Sequence, residues 1–171
     1  MPAAPFCSKN SQPGSATPQQ IEAADGAILL DIARRGGMRP ETRVQRWRNI
    51  AKIAADRAGG DLAGALRSLP LDKARALLKA FPVIGDPGAD KILLFADIAA
   101  RPSLDSNGVR ALAHLGFFAE GRDYAASYRA AIDALVRRGE PDRAWLVTAY
   151  LVLREHCPLD AACAHALVAR L

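Results

Sequence analysis

The sequence predicts an all-α fold, and three observations carry that expectation. Half of the 171 residues are hydrophobic, alanine is abundant, and aromatic residues make up only 6%. Apolar positions recur three and four apart, the period of a helix with one buried face. No stretch shows the β-branched alternation of a half-buried strand.

A chain of this length suits one domain or a pair of small lobes sharing a core. No apolar run approaches the ~18–20 residues that a membrane span needs, and no charged and apolar leader of the secretory kind opens the chain. A cytoplasmic protein without a membrane partner is therefore expected. Three cysteines, an odd number, argue against a disulfide scaffold and for a reduced compartment. The net charge of +5 suits a polyanionic partner, although many domains are mildly basic.

Residues 1–16 (MPAAPFCSKNSQPGSA) are rich in Pro, Ser and Ala, carry no periodicity and read as a disordered leader. Order is expected from Thr17-Pro18-Gln19-Gln20, where Thr17 and Gln20 form a capping box and Pro18 takes the first helical position. Gly26 divides the opening into two short helices, and Gly36-Gly37 ends the second. A longer helix is expected over 40–58. Its apolar face is Val44, Trp47, Ala51, Ala54 and Ala58, and Arg39, Arg43, Arg46, Arg48, Lys52 and Arg57 form a basic opposite face. That stripe reads first as solvated surface, with a phosphate-facing role as the sharper alternative. Asp61 caps a short helix to Ser68, and another spans 71–81. After a Pro- and Gly-rich turn, helices are expected over 89–100, from Asp105 to His114, over 123–138 and over 141–156.

The turn reads Phe81-Pro82-Val83-Ile84-Gly85-Asp86-Pro87-Gly88, between Leu78 on one side and Ala89 and Ile92 on the other. Gly85 and Gly88 lack Cβ and allow backbone to approach a ligand closely. Amides just after Gly85 open the second helix, where unpaired N–H groups and the positive dipole end attract phosphate. Such amides hold a phosphate without reading sequence. The plain alternative is a tight hairpin in an ordinary bundle.

This pattern resembles the helix-hairpin-helix element of DNA-repair proteins. Downstream, Leu104-Asp105-Ser106-Asn107-Gly108-Val109-Arg110 follows at the interval found in the endonuclease III (helix-hairpin-helix) superfamily of DNA glycosylases, and the resemblance covers roughly residues 40–117. It implies a helix-hairpin-helix glycosylase-like bundle, divided into the leader 1–16, a core over 17–117 and a C-terminal lobe over 118–171. It implies double-stranded DNA as partner, a monomer in the cytoplasm near the nucleoid, and base excision repair as the setting. Pro82, Val83, Ile84, Gly85, Asp86, Gly88 and Lys91 would touch DNA, and Asp105 would be catalytic. By itself Asp105 also reads as a helix N-cap, and the two roles are compatible. Family members usually have Gly where Val83 stands and a Gly in the loop that here reads Ala99-Ala100-Arg101-Pro102.

Bifunctional members carry a lysine two positions after the second hairpin glycine, which attacks the sugar as an amine. Pro87 occupies that position, so the resemblance implies a monofunctional glycosylase. Asp105 would then stabilise an oxocarbenium-like sugar and activate water, after the base is flipped from the stack. Only Cys157 and Cys163 match the four-cysteine iron–sulfur pattern, so no cluster is expected, and His156 and His165 do not complete a familiar zinc spacing. Related enzymes have further helices where this chain has its leader. The alternative is therefore a trimmed, non-catalytic helix-hairpin-helix module that binds DNA.

Overall fold

The computed structural model describes residues 16–139 and 142–155, the last without its side chain. Most of the expected leader and all of Cys7, His156, Cys157, Cys163 and His165 lie outside the described residues. Within them the regular structure is entirely helical. No described helix is long and apolar enough to cross a membrane. The chain forms two compact units that part between Val83 and Ile84, inside the Pro- and Gly-rich turn.

The first unit contains α1 (Pro18–Ala23), α2 (Gly26–Arg35), α3 (Pro40–Ala58), α4 (Leu62–Ser68) and α5 (Leu71–Lys79). Thr17 and Gln20 close the expected capping box, with reciprocal bonds of 3.2 and 2.9 Å. The long helix α3 is the spine, packed by α1, α2 and α4. It buries Ala51 and Ala54 and ends at Gly59, whose φ of +58° is the left-handed C-cap that glycine adopts without steric cost.

Two members of the basic stripe are spent inside this unit. Arg43 donates to the Ala33 carbonyl of α2 at 3.1 Å and lies over the Trp47 ring at 5.6 Å. Arg48 reaches the Ala24 carbonyl, just past α1, at 3.4 Å. Both guanidinium groups thus meet carbonyls at helix C-termini, where a cation is favoured. Arg43 lies against the half-buried Trp47 and not on an opposite, wholly solvated face.

The second unit contains α6 (Asp86–Phe95), α7 (Ser106–His114), α8 (Tyr124–Val136) and α9 (Arg143–Glu155). Here α7 packs on α8 and α9, and α6 packs on α9. Leu104, Val109, Ala111, Leu112, Tyr128, Ala131, Ile132 and Leu153 form its core.

Helix α5 stops two residues short of the expected Phe81, because Phe81 precedes Pro82 and that position disfavours helical backbone. Helix α6 begins at Asp86, not Ala89, so the glycine-rich turn itself becomes the first helical turn. Gly85 is its extended N-cap and Pro87 supplies a helical φ. It also ends at Phe95, well before Ala100, because Asp97 turns left-handed at φ +56°. The amides of Ile98 and Ala99 then fold back on the Leu93 carbonyl at 3.0 and 3.2 Å. Arg143, at the start of α9, closes the same end by donating to the carbonyls of Leu94 and Phe95 and pairing with Asp97.

Candidate nucleic-acid interface and carboxylate site

The left-handed residue of the hairpin is Val83, not a glycine. Its φ is +66° and its side chain is 80% exposed. A β-branched residue resists this region, where an L-residue is disfavoured by about 1–2 kcal/mol. The chain therefore holds the shape a glycine would give without having the glycine.

Gly85 shows the converse. Its φ is −95°, and a Cβ built there would meet only the Pro87 Cδ at 3.8 Å. Nothing in its own conformation or surroundings requires glycine. A Cβ on Gly88 would touch Ile84 at 3.4 Å, an ordinary contact. The first turn of α6 leaves the amides of Gly85, Asp86 and Gly88 outside the helix ladder, while Pro87 has no N–H and Ala89 bonds to the Gly85 carbonyl at 2.9 Å. The Asp86 carboxylate sits at this positive helix end, where a negative charge is favoured and where it would compete with a phosphate.

Pro82 and Val83 end the first unit, and Ile84, Gly85, Asp86, Gly88, Lys91 and Asp105 all lie in the second. Lys91 is exposed, with its ammonium 5.1 Å from the centroid of the Tyr150 ring, a cation–π contact within the unit. Tyr150 in turn stacks edge-on against Phe95 at 5.2 Å.

Asp105 is half-buried and caps α7. Its Oδ1 accepts from the amides of Asn107 at 3.0 Å and Gly108 at 2.8 Å. Its Oδ2 accepts no hydrogen bond from the described residues. Tyr124, 46% exposed at the start of α8, shares this neighbourhood. Partial burial, and then the charge of Asp105, push its phenol above the usual tyrosine range.

The segment leading to Asp105 is fastened to α6. Ser103 Oγ donates to the Pro87 carbonyl at 3.5 Å, and Arg101 Nε donates to Asp90 Oδ1 at 3.1 Å. Asp90 is wholly buried, and its Oδ2 accepts from the Tyr128 hydroxyl at 2.9 Å. Burial, followed by the Asp90 charge, raises the Tyr128 phenol far above its ordinary value, while the nearby Ser103 hydroxyl and Arg101 charge oppose the rise.

Asp90 was absent from the sequence reading, although a signal for it was there. It lies three and four residues before Leu93 and Leu94, so helical period sets a carboxylate on the apolar stripe of α6. A buried charge in such a place needs a partner. That Arg101 and Tyr128, the latter 38 residues away, are among its partners could not be deduced from spacing. Compared with known proteins, the chain matches no protein-family model and no curated protein sequence.

Proposed function

We propose that the chain is a monofunctional DNA N-glycosylase of base excision repair, with a helix-hairpin-helix bundle like that of the endonuclease III superfamily. One observation carries the reading. A half-buried carboxylate, Asp105, has one oxygen committed to helix amides and the other unengaged by the described residues, at the end of a segment bonded to the first turns of α6.

In this reading the amides that open α6 hold a DNA phosphate and set the register of the duplex. A damaged or mismatched base is turned out of the stack, a process costing a few kcal/mol. The exposed Tyr124 ring, whose phenol feels the Asp105 charge, offers an aromatic face for it. The free oxygen of Asp105 faces the sugar as its bond to the base breaks, stabilises the cationic centre and accepts a proton from the attacking water. Pro87 stands where a lysine nucleophile would be needed, so the strand is left intact with an abasic site.

A non-catalytic DNA-binding module is the second reading, favoured by the two amide bonds that already give Asp105 an occupation as helix cap. One experiment separates the two. The protein is incubated with duplexes carrying different base lesions, and each sample is divided for alkali and for borohydride. The glycosylase reading expects strand breaks only after alkali, and no trapped protein–DNA adduct. Binding to all duplexes with no alkali-labile product on any of them would leave the module.

A further inference from the structure

We infer that the buried Asp90, Tyr128 and Ser103, together with the partly exposed Arg101, form a positioning device that fixes the Asp105 carboxylate in register with the first turns of α6. The inference rests on the reading of Asp105 as the group that faces the sugar.

The geometry of the 101–105 segment carries it. Arg101 is tied to Asp90 in the second turn of α6, and Ser103 to Pro87 in the first. Pro102, Ser103 and Leu104 between them are buried, so the segment has no slack toward solvent. Tyr128 closes the cluster from α8 by bonding Asp90. Asp105 follows Ser103 by two residues, which keeps their Cα atoms within about 7 Å of each other. The Asp105 backbone is extended, with φ −92° and ψ −176°, and its side chain is then fixed by Asn107 and Gly108. A carboxylate that carries catalysis is thus held through its chain on one side and its cap on the other.

Energetics point the same way. Burying a charge such as that of Asp90 carries a desolvation cost that offsets much of its attraction to the partly exposed Arg101. Stability alone does not call for Asp90 and Arg101 here. What the charged pair and the phenol add over a leucine cluster is direction, because each bond is satisfied in one arrangement of α6, α8 and the segment between α6 and α7.

The test uses the full chain with Tyr128→Phe and Ser103→Ala, and with Ile132→Val as a packing control on the same helix as Tyr128, where Ile132 is also buried. Two quantities are read: single-turnover base release on a lesion duplex, with the duplex Kd, and hydrogen exchange of the Asn107 and Gly108 amides in the free protein. Tyr128→Phe is expected to slow base release by about tenfold to a hundredfold, the scale of a misplaced catalytic group, with the Kd within about twofold of the parent. The two amides should exchange at least roughly tenfold faster as the Asp105 cap loosens. Ile132→Val should change neither. If Tyr128→Phe does not fold, Ser103→Ala carries the same comparison. Exchange at both amides that matches the control in both variants overturns the inference. If the parent protein releases no base from any duplex, the glycosylase reading falls, and the amide exchange still decides whether the cluster positions Asp105.

Discussion

The Tyr128 hydroxyl donates a 2.9 Å hydrogen bond to Asp90, joining the middle of α8 to the buried face of α6 across 38 positions of sequence. Asp90 has no solvent exposure and also accepts from Arg101. Removing either partner leaves a buried polar group short of a bond. Asp90→Ala should therefore lose about 3 kcal/mol or more of stability, and Tyr128→Phe about 1–3 kcal/mol, both measured by urea unfolding at neutral pH.

The same bond gives a pH signature. Burial and the Asp90 charge raise the folded-state value of Tyr128 far above that of a free phenol. The folded chain then keeps a proton that the unfolded chain releases once the pH passes about 10. The contribution is fully present below that pH and is lost as the pH rises above it. Between pH 10 and 11, the parent should lose up to about 1.4 kcal/mol per pH unit more than Tyr128→Phe does. Parallel stability curves for the two proteins over this range would contradict the assignment.

Val83 and Gly85 make opposite predictions. Val83 is held at φ +66° and exposed, so Val83→Gly removes strain and touches no packed neighbour. Stability should rise by about 1 kcal/mol, the left-handed penalty reduced by the greater freedom of unfolded glycine. A drop in the urea midpoint would mean that the valine side chain makes a contact worth more than its strain.

Gly85→Ala should cost less than about 1 kcal/mol, the difference between glycine and alanine at an extended N-cap, because the added Cβ meets only Pro87 at 3.8 Å. If DNA phosphate approaches the amides here, the same change should weaken binding to every duplex by a similar factor. Parent affinity should fall with salt at a log–log slope near −0.9 for each phosphate neutralised. Unchanged affinity in Gly85→Ala would remove this turn from the interface, and a salt-independent Kd would remove nucleic acid as the partner.

Asp105 serves a helix cap whatever else it does, and asparagine caps about as well as aspartate. Asp105→Asn should thus leave the unfolding midpoint nearly unchanged, abolish base release, and keep or tighten duplex binding as a repelling charge is removed. Asp105→Ala should lose about 1 kcal/mol of stability in addition. Base release that survives in Asp105→Asn but falls in Asp105→Ala would assign the residue to capping alone.

The elements legible in the sequence were those written in local chemistry. Thr17 with Gln20, Asp61, Asp105 and the three-and-four spacing of Ala51 and Ala54 each act within one or two helical turns, so their caps and faces emerge where the sequence puts them. The ends of α6 were less legible. Its start depends on a Gly-Asp-Pro-Gly turn that reads equally as loop or first helical turn, and its end depends on Asp97 entering a region that residues other than glycine seldom occupy.

The sequence by itself determined the all-helical architecture of the described residues, the break between α5 and α6, and Asp105 as a capping carboxylate, because period, proline and capping side chains are local signals. Tertiary structure alone decided that Val83 takes the left-handed place while Gly85 does not, that Arg43 and Arg48 are drawn from the basic stripe to helix ends, and that Asp90, Arg101, Ser103 and Tyr128 meet. The last of these outcomes depends on which distant groups share a low-dielectric interior. There an unpaired charge or hydroxyl is costly enough to select its partner, and no spacing along the chain encodes that choice.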